Sequence, residues 1–179
     1  MAEAPSSVAA ALAERIRSVP DFPIPGILFR DITTLLKDAG ALRTAVDAMI
    51  APFRADRVDV VVGVESRGFI FATPVAYALN AGFAPVRKLG RLPADAIRIE
   101  YELEYGTNTL ELHRDAVQPG QRVLVVDDLL ATGGTAAAAV DLVNQLGGEV
   151  IGLSFLVELR ELRGRERLAH ERVHAVVQF

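Results

Sequence analysis

Residues 123–135 are Val-Leu-Val-Val-Asp-Asp-Leu-Leu-Ala-Thr-Gly-Gly-Thr. The first four are apolar and mostly β-branched, a pattern that predicts a buried β-strand. Asp127 and Asp128 come directly after it, then a turn of small residues, then an alanine-rich run at 136–146 that predicts a helix. Because ligands of open α/β sheets bind at the carboxyl ends of the strands, this segment predicts a binding site.

The residue types in this segment indicate which ligand the site takes. The turn presents backbone N–H groups and the hydroxyls of Thr132 and Thr135 at a helix N-terminus, where a phosphate is favoured. The carboxylates of Asp127 and Asp128 can accept hydrogen bonds from vicinal hydroxyls, such as those of a ribose. Phosphate donors beside diol acceptors therefore favour a ribose phosphate.

Other interpretations of the segment fit less well. A magnesium-binding strand of a P-loop nucleotidase needs G-x-x-x-x-G-K-[ST] elsewhere, and neither of the two lysines, Lys37 and Lys88, follows a glycine. A dinucleotide fold needs G-x-G-x-x-G, which Gly133 and Gly134 do not supply. A tight strand-to-helix turn without a ligand is the remaining alternative.

Length and composition limit the classes of protein to which the chain can belong. At 179 residues the chain is long enough for one domain with a substantial core. The net charge of −4 gives no reason to expect nucleic acid. The chain has no cysteine, which suits the cytosol, and its three histidines have no zinc-ligand spacing. No apolar run is long enough for a signal peptide or a membrane span.

Periodicity predicts the remaining elements. Helical spacing predicts helices at about 7–18, 42–53 and 69–81, and apolar runs predict strands at 58–64, 83–87, 150–157 and 173–179. Strict alternation over 97–105, with a return at 109–113, predicts a half-exposed hairpin between two α/β halves. The charge-rich run 160–167 predicts a short exposed helix or turn.

Two further segments carry basic residues near predicted strand ends. Residues 63–69 again combine a strand end, a polar turn and a helix start, with Arg67 suited to a phosphate or pyrophosphate. Residues 87–93 are a basic cluster that, in an acidic protein, favours a polyphosphate over a plain solvated surface. Phe29 follows a Pro- and Gly-rich loop, and its pattern alone favours a place in the core.

These motifs together resemble the type I phosphoribosyltransferases, and within them the adenine-specific members. The resemblance runs from about Asp21 to the C-terminus. The matching segments are 21–31, 63–69, 86–93, 101–106 and 123–135. It implies an α/β fold with a central parallel sheet of about five strands flanked by helices, a base-binding hood at about 1–34 and a mobile hairpin at about 94–113, all in a single domain spanning 1–179.

The resemblance also implies the reaction and its residues. The family transfers the 5-phosphoribosyl group of 5-phosphoribosyl 1-pyrophosphate (PRPP) to adenine, giving AMP and pyrophosphate. The residues implied to hold the 5-phosphate are Ala131, Thr132, Gly133, Gly134 and Thr135. Asp127 and Asp128 are implied at the ribose hydroxyls, with an indirect hold on Mg²⁺, which PRPP itself mainly binds.

The remaining roles follow from the same resemblance. Residues implied at pyrophosphate are Arg67, Arg87, Lys88 and Arg91, the last standing where lysine is common, and in dimeric members some of them reach the neighbouring subunit. Phe29 is implied against the adenine ring, with backbone groups of Leu28 and Arg30 at its edge. Glu104 is implied in proton exchange at adenine N7, with Tyr105 beside the reacting centre.

The resemblance further predicts a cytoplasmic homodimer without nucleic-acid or membrane partners, and a cis peptide between Glu65 and Ser66. Two alternatives stay open. One is a 6-oxopurine phosphoribosyltransferase, although no lysine lies in the base-facing loop. The other is a PRPP-binding regulator without turnover, although the chain before residue 21 is too short for a nucleic-acid-binding module.

Overall fold

A computed structural model describes residues 7–102 and 107–179. It divides into two compact units, Met1–Ala48 and Met49–Phe179. The predicted hood at about 1–34 falls within the first unit. Whether the chain acts as a single domain stays a prediction.

The first unit holds short elements around a two-stranded antiparallel sheet. Its elements are α1 (Ser7–Ala13), β1 (Arg17–Pro20), β2 (Leu28–Asp31), α2 (Thr33–Leu36) and the start of α3 (Ala39–Ile50). The predicted helix at 7–18 is too long, because residues 17–20 pair with 28–31 as β1 and β2. Phe29 lies within β2 and is therefore extended.

The second unit is built on a seven-stranded sheet, ordered β5-β6-β4-β3-β7-β8-β9. Its strands are β3 (Val60–Val64), β4 (Gly82–Lys88), β5 (Ala96–Glu102), β6 (Thr107–His113), β7 (Arg122–Leu130), β8 (Glu149–Glu158) and β9 (Val173–Gln178). The helices are α4 (Gly68–Leu79) and α5 (Gly134–Gln145), with 3₁₀ turns at Ala51–Phe53, Arg160–Leu162 and Gly164–Leu168.

Five of these strands, β4, β3, β7, β8 and β9, run parallel, which confirms the predicted central sheet. All five residues of β3 are buried, as expected for a parallel strand covered on both faces. The hairpin is also confirmed over its described residues, because β5 and β6 pair antiparallel and β6 pairs with β4, which lies at one end of the five parallel strands. The mobility of this hairpin stays a prediction.

The strand of the central segment ends later in the structure than the sequence predicts. The strand predicted at 123–126 continues through both aspartates to Leu130, because β8 pairs with it as far as Glu158. Asp127 and Asp128 are thus residues of β7 itself, held by its pairing with β8, and do not follow the end of the strand as predicted. Among the described residues, no helix has the length and apolar character required to cross a membrane.

Candidate functional site

A cavity of about 350 Å³ opens at the carboxyl edge of β3 and β7. Its lining residues all belong to the second unit and are Val64, Glu65, Ser66, Arg67, Lys88 and the continuous run 127–136. It therefore joins the acidic pair, the glycine-rich loop and part of the Arg67 turn, which the sequence analysis placed at strand ends. Because β3 and β7 are adjacent and parallel, their ends meet at one edge of the sheet.

The loop between β7 and α5 has the geometry of an anion site. Gly133 adopts φ +82°, a left-handed conformation that favours glycine, and α5 begins at Gly134. The first turns of a helix leave several N–H groups without intrahelical acceptors, and the helix dipole makes that end positive. Residues 131–135 thus surround a position suited to phosphate, with Thr132 and Thr135 among the lining residues.

The acidic pair lies beside this loop. Asp128 is only 4% exposed, and its backbone N–H donates to Asp127 Oδ1 at 2.8 Å. Arg67 Nε lies 2.9 Å from Asp128 Oδ2, an ion pair without hydrogen-bond alignment. Within residues 7–102 and 107–179, Asp128 Oδ2 accepts no hydrogen bond. A buried carboxylate oxygen left in this state favours a hydroxyl donor from a ligand.

Burial and mutual repulsion alter how this pair ionises. Burial raises the pKa of Asp127 well above its usual range, and the charge of Asp128 raises it further. Burial also raises the pKa of Asp128, whereas the guanidinium of Arg67 opposes that rise. Two adjacent carboxylates with raised pKa values are typical of functional sites, because a fold alone gains no stability from them.

Gly68, which the sequence analysis did not single out, permits this arrangement. A Cβ on Gly68 would lie 2.6 Å from Asp127 Oδ1 and 3.2 Å from the Val126 carbonyl oxygen. The absence of a side chain thus lets the first turn of α4 approach the end of β7. A glycine directly after Arg67 in a strand–turn–helix segment was the signal available in the sequence.

The predicted pyrophosphate residues separate into two groups. Arg67 and Lys88 line the cavity, whereas Arg87 and Arg91 are not among its lining residues. The Arg87 guanidinium instead forms two hydrogen bonds to Glu65, of 3.3 Å from Nε and 3.1 Å from Nη2, and a third to the Arg91 carbonyl. A direct role for Arg87 and Arg91 at pyrophosphate stays a prediction.

Glu65 organises this side of the site. Its carboxylate accepts the two hydrogen bonds from Arg87, and its Oε2 also accepts a hydrogen bond from the Lys88 backbone N–H at 3.0 Å. The Arg87 hydrogen bonds are the main reason that the pKa of Glu65 lies below its usual value. The peptide between Glu65 and Ser66 is cis, which confirms that prediction.

The predicted adenine segment lies in the first unit. Leu28 is 49% exposed, and Phe29 is half-buried with its ring edge-on to Phe22 at a centroid distance of 5.1 Å. Arg30 donates from Nη1 to Ser18 Oγ at 2.6 Å. The core position that the pattern alone favoured for Phe29 is therefore wrong, because the 21–27 loop leaves β2 at the unit's surface.

The hairpin contributes one observed contact to the site. The Tyr101 hydroxyl on β5 lies 3.1 Å from Thr135 Oγ1 at the start of α5. Glu104 and Tyr105, which the resemblance implied at the reacting centre, lie outside the described residues. Their roles stay predictions.

No cluster of three or more His, Cys, Asp or Glu side chains suited to a metal occurs within the described ranges. The two strand carboxylates are the oxygen donors that a hard divalent cation prefers, but two such groups do not complete its shell. They fit a Mg²⁺ ion held mainly by its ligand, with Asp127 and Asp128 acting through hydroxyls or water.

A parallel sheet with a phosphate loop and an acidic pair at its carboxyl edge defines the type I phosphoribosyltransferase fold. The family model described as phosphoribosyl transferase domain matches residues 33–178. An adenine phosphoribosyltransferase of Chloroflexus aurantiacus is 56% identical over 94% of this chain and 97% of its own length. Another, of Thermobifida fusca, is 56% identical over 90% and 92%.

Solved structures agree with these relatives. An adenine phosphoribosyltransferase of Rhodothermus marinus superposes with a TM-score of 0.93 at 51% identity, covering 97% of this chain and 99% of that one. One from Saccharomyces cerevisiae, solved in complex with an imino-altritol bisphosphate and adenine, gives 0.90 at 39% identity, covering 96% and 99%. The chain therefore belongs to the phosphoribosyl transferase family, and within it to the adenine phosphoribosyltransferases.

Proposed function

We propose that this protein transfers the 5-phosphoribosyl group of PRPP to adenine, with Mg²⁺, releasing pyrophosphate and forming AMP. The observation that carries the proposal is one cavity in which two adjacent carboxylates, Asp127 and the buried Asp128, adjoin a phosphate loop and two basic side chains. Each part matches one part of PRPP: the loop its 5-phosphate, the carboxylates its ribose hydroxyls, and Arg67 and Lys88 its pyrophosphate.

The reaction needs alignment more than covalent help. Adenine N9 bonds to C1 of the ribose as the bond from C1 to pyrophosphate breaks, so positive charge develops on the sugar. Loop residues 131–135 anchor the 5-phosphate, and Asp127 and Asp128 fix the ribose through its hydroxyls, which holds C1 in place. Arg67 and Lys88 stabilise the charge that grows on the leaving pyrophosphate.

Base selectivity is assigned to the β2 segment. Backbone groups of Leu28 and Arg30 would pair with the adenine edge, where N6 donates and N1 accepts, while the ring of Phe29 covers its face. A 6-oxopurine reverses donor and acceptor there, which would leave buried backbone groups unpaired. The yeast relative that was solved with adenine supports adenine as the base.

Glu104 is assigned to proton exchange at adenine N7, with Tyr105 beside it. The change Glu104→Gln keeps the shape and removes the exchangeable charge, so turnover should fall while PRPP affinity changes little. Unchanged turnover would make Glu104 a surface residue.

Mg²⁺ is assigned to PRPP, the donor of the phosphoribosyl group. When bound, Mg²⁺ would supply positive charge that neutralises the leaving pyrophosphate. Asp127 and Asp128 would hold it indirectly, through the ribose hydroxyls or water. Turnover that persists after chelation of divalent cations would overturn this part.

A homodimer is also proposed. Ile70 on α4 is 42% exposed and Phe83 on the neighbouring β4 is 38% exposed, with the Phe83 ring edge-on to Phe69 at 5.8 Å. Exposed apolar side chains on adjoining elements favour a protein partner, and a second copy satisfies this with one surface. Sedimentation should give a dimer for the wild type and more monomer for Ile70→Glu. A monomeric wild type would exclude the dimer.

A cytoplasmic location completes the proposal, because PRPP and AMP are highly charged and do not cross a membrane unaided. Cell fractionation followed by an activity assay tests this location. Activity confined to the membrane fraction would contradict it.

The decisive experiment measures pyrophosphate release from PRPP and Mg²⁺ with adenine, hypoxanthine and guanine in parallel. Turnover with adenine alone supports both the reaction and the base assignment. Turnover with a 6-oxopurine instead would keep the phosphate and ribose assignments and discard the β2 readout. Donor binding without turnover on any base would indicate a regulator.

A further inference from the structure

The hydroxyls of Tyr101 and Thr135 lie 3.1 Å apart and share a hydrogen bond. Tyr101 comes from β5 of the hairpin, and Thr135 is the second residue of α5, at the end of the phosphate loop. The hairpin strand is thus joined to the phosphate loop by a polar contact between side chains.

The Tyr101 hydroxyl is held in place by the packing of its ring and the pairing of its strand. Its ring is half-buried and packs against the apolar core, and its backbone pairs with Asn108 of β6. The adjacent β5 residues Ile97 and Ile99 pack on the same core. A tyrosine fixed by its strand and by its ring holds its hydroxyl at one place, so the Thr135 hydroxyl is the group that can rotate.

Chemistry determines the direction of this hydrogen bond once an anion binds. A phosphate oxygen only accepts, so Thr135 must donate its single proton to contribute to phosphate binding. Its oxygen lone pairs are then free to accept, and the Tyr101 hydroxyl is the donor within reach. A chain from Tyr101 to Thr135 to phosphate also polarises each bond in turn, which strengthens both.

We propose that Tyr101 is a positioning residue for the 5-phosphate, because it donates to Thr135 and thereby directs the Thr135 proton at the anion. The inference rests on the proposed function, since it assumes a phosphate in the loop. It adds a residue of the hairpin to the phosphate site.

The test is a double-mutant cycle on ligand affinity, measured by calorimetry. Ribose 5-phosphate and pyrophosphate are titrated separately into the wild type, Tyr101→Phe, Thr135→Val and the double variant. Tyr101→Phe keeps the ring and removes only the hydroxyl. The control is Tyr77→Phe, which removes a hydroxyl from an 89% exposed tyrosine on α4.

We expect Tyr101→Phe to weaken ribose 5-phosphate binding by about 3- to 10-fold, the range for one hydrogen bond, without weakening pyrophosphate. In the Thr135→Val background the same change should have no further effect, because the group that Tyr101 orients is gone. In turnover, the KM for PRPP should rise while the KM for adenine stays unchanged. Tyr77→Phe should match the wild type throughout.

Three outcomes overturn the inference. Wild-type ribose 5-phosphate affinity in Tyr101→Phe would show that the hydroxyl positions nothing. An equal loss with and without the Thr135 hydroxyl would show that Tyr101 acts by another route. A wild type that does not bind ribose 5-phosphate would overturn the proposed phosphate site itself, which separates that failure from a failure of Tyr101.

Discussion

Gly133 and Gly164 approach so closely that neither position has room for a side chain. A Cβ on Gly133 would overlap the Gly164 carbonyl oxygen, and a Cβ on Gly164 would overlap the Ala131 carbonyl oxygen. The same Cβ on Gly164 would lie 3.1 Å from the Gly133 nitrogen. The 3₁₀ turn Gly164–Leu168 therefore supports the back of the phosphate loop, although it contributes nothing to the lining of the cavity.

The change Gly164→Ala should displace the phosphate loop. Because the overlap is with backbone and not with a flexible side chain, we expect about a tenfold weaker affinity for ribose 5-phosphate and a lower Tm. Calorimetry and thermal unfolding measure the two effects. The control is Gly82→Ala, where the nearest neighbour of a Cβ is the Asp59 carbonyl at an ordinary 3.5 Å. Equal affinities for the two variants would contradict the supporting role of Gly164.

This contact marks the limit of what the sequence could predict. The strand, loop and helix of 123–146 were predicted from local apolar patterning and turn chemistry, which act between neighbours in the chain. The 160–167 run was predicted to be merely exposed, because its contact with Gly133 depends on the sheet bringing two distant segments together. A glycine within a charge-rich run was the only sign of it.

The same dependence on distant residues explains why two predicted element boundaries are wrong. Helical spacing continues past Ala13, but β1 forms because residues 17–20 find β2 as a partner. Likewise, the pairing of β7 with β8 carries the strand through Asp127 and Asp128. Strand pairing depends on distant residues, so periodicity alone does not locate its ends.

The change Asp128→Asn should weaken PRPP binding and stabilise the fold at neutral pH. A folded-state pKa raised by burial means that folding favours the protonated acid, so stability is lost as pH rises through that pKa. Asparagine carries no charge and avoids this cost, but accepts ribose hydroxyl bonds less strongly. We expect about tenfold weaker PRPP binding and an unchanged or higher Tm at pH 7.

The pH profile gives a second measurement on the same pair. PRPP affinity in the wild type should fall as the pH is lowered through the raised pKa values, because protonated carboxyls no longer accept at both oxygens. The decline should therefore begin at a higher pH than an ordinary aspartate would give. An Asp128→Asn variant with wild-type affinity would remove Asp128 from the site.

The change Arg165→Met tests what holds the supporting turn in place. Arg165 donates to both carboxylate oxygens of Glu158, from Nε at 2.7 Å and from Nη2 at 2.8 Å, and Glu158 is 4% exposed. Without the guanidinium, the buried Glu158 carboxylate keeps, among the described side chains, only the 3.0 Å hydrogen bond from Gln178. We expect a loss of about 2 kcal/mol in the free energy of unfolding, measured in urea, because one partner of a buried pair is removed.

The matched control for Arg165 is Arg163→Met. Arg163 pairs with Glu166 at the surface, where the two side chains are 73% and 60% exposed. Such a pair contributes about 0.5 kcal/mol or less. Arg165 ties the turn that begins at Gly164 to the buried Glu158 of β8, whereas Arg163 pairs with Glu166 of the same turn. Loss of Arg165 should therefore also weaken ribose 5-phosphate binding, whereas loss of Arg163 should not. Equal results for the two arginines would show that burial of Glu158 is unimportant.

The change Asp31→Asn should reduce the stability of the first unit in a pH-dependent way. The Asp31 carboxylate accepts from Arg17 Nε at 3.0 Å and from the Thr33 N–H at 2.9 Å. These hydrogen bonds lower the pKa of Asp31 to about 2, and the bond from Arg17 has the largest effect. Because the folded pKa lies below the ordinary value of 3.8, the stabilisation is present above that pH and is lost as the pH falls toward 2.

We expect wild type and Asp31→Asn to differ by about 1 kcal/mol in the free energy of unfolding at pH 7, a value reduced for solvent screening of the exposed Arg17. The difference should shrink as denaturation is repeated at pH values from 4 downward. Asp115→Asn, which changes an exposed aspartate, serves as the control and should match the wild type at each pH. A difference that stays constant with pH would mean that the asparagine disturbs packing, and that the ionised carboxylate is not what stabilises β1 against β2.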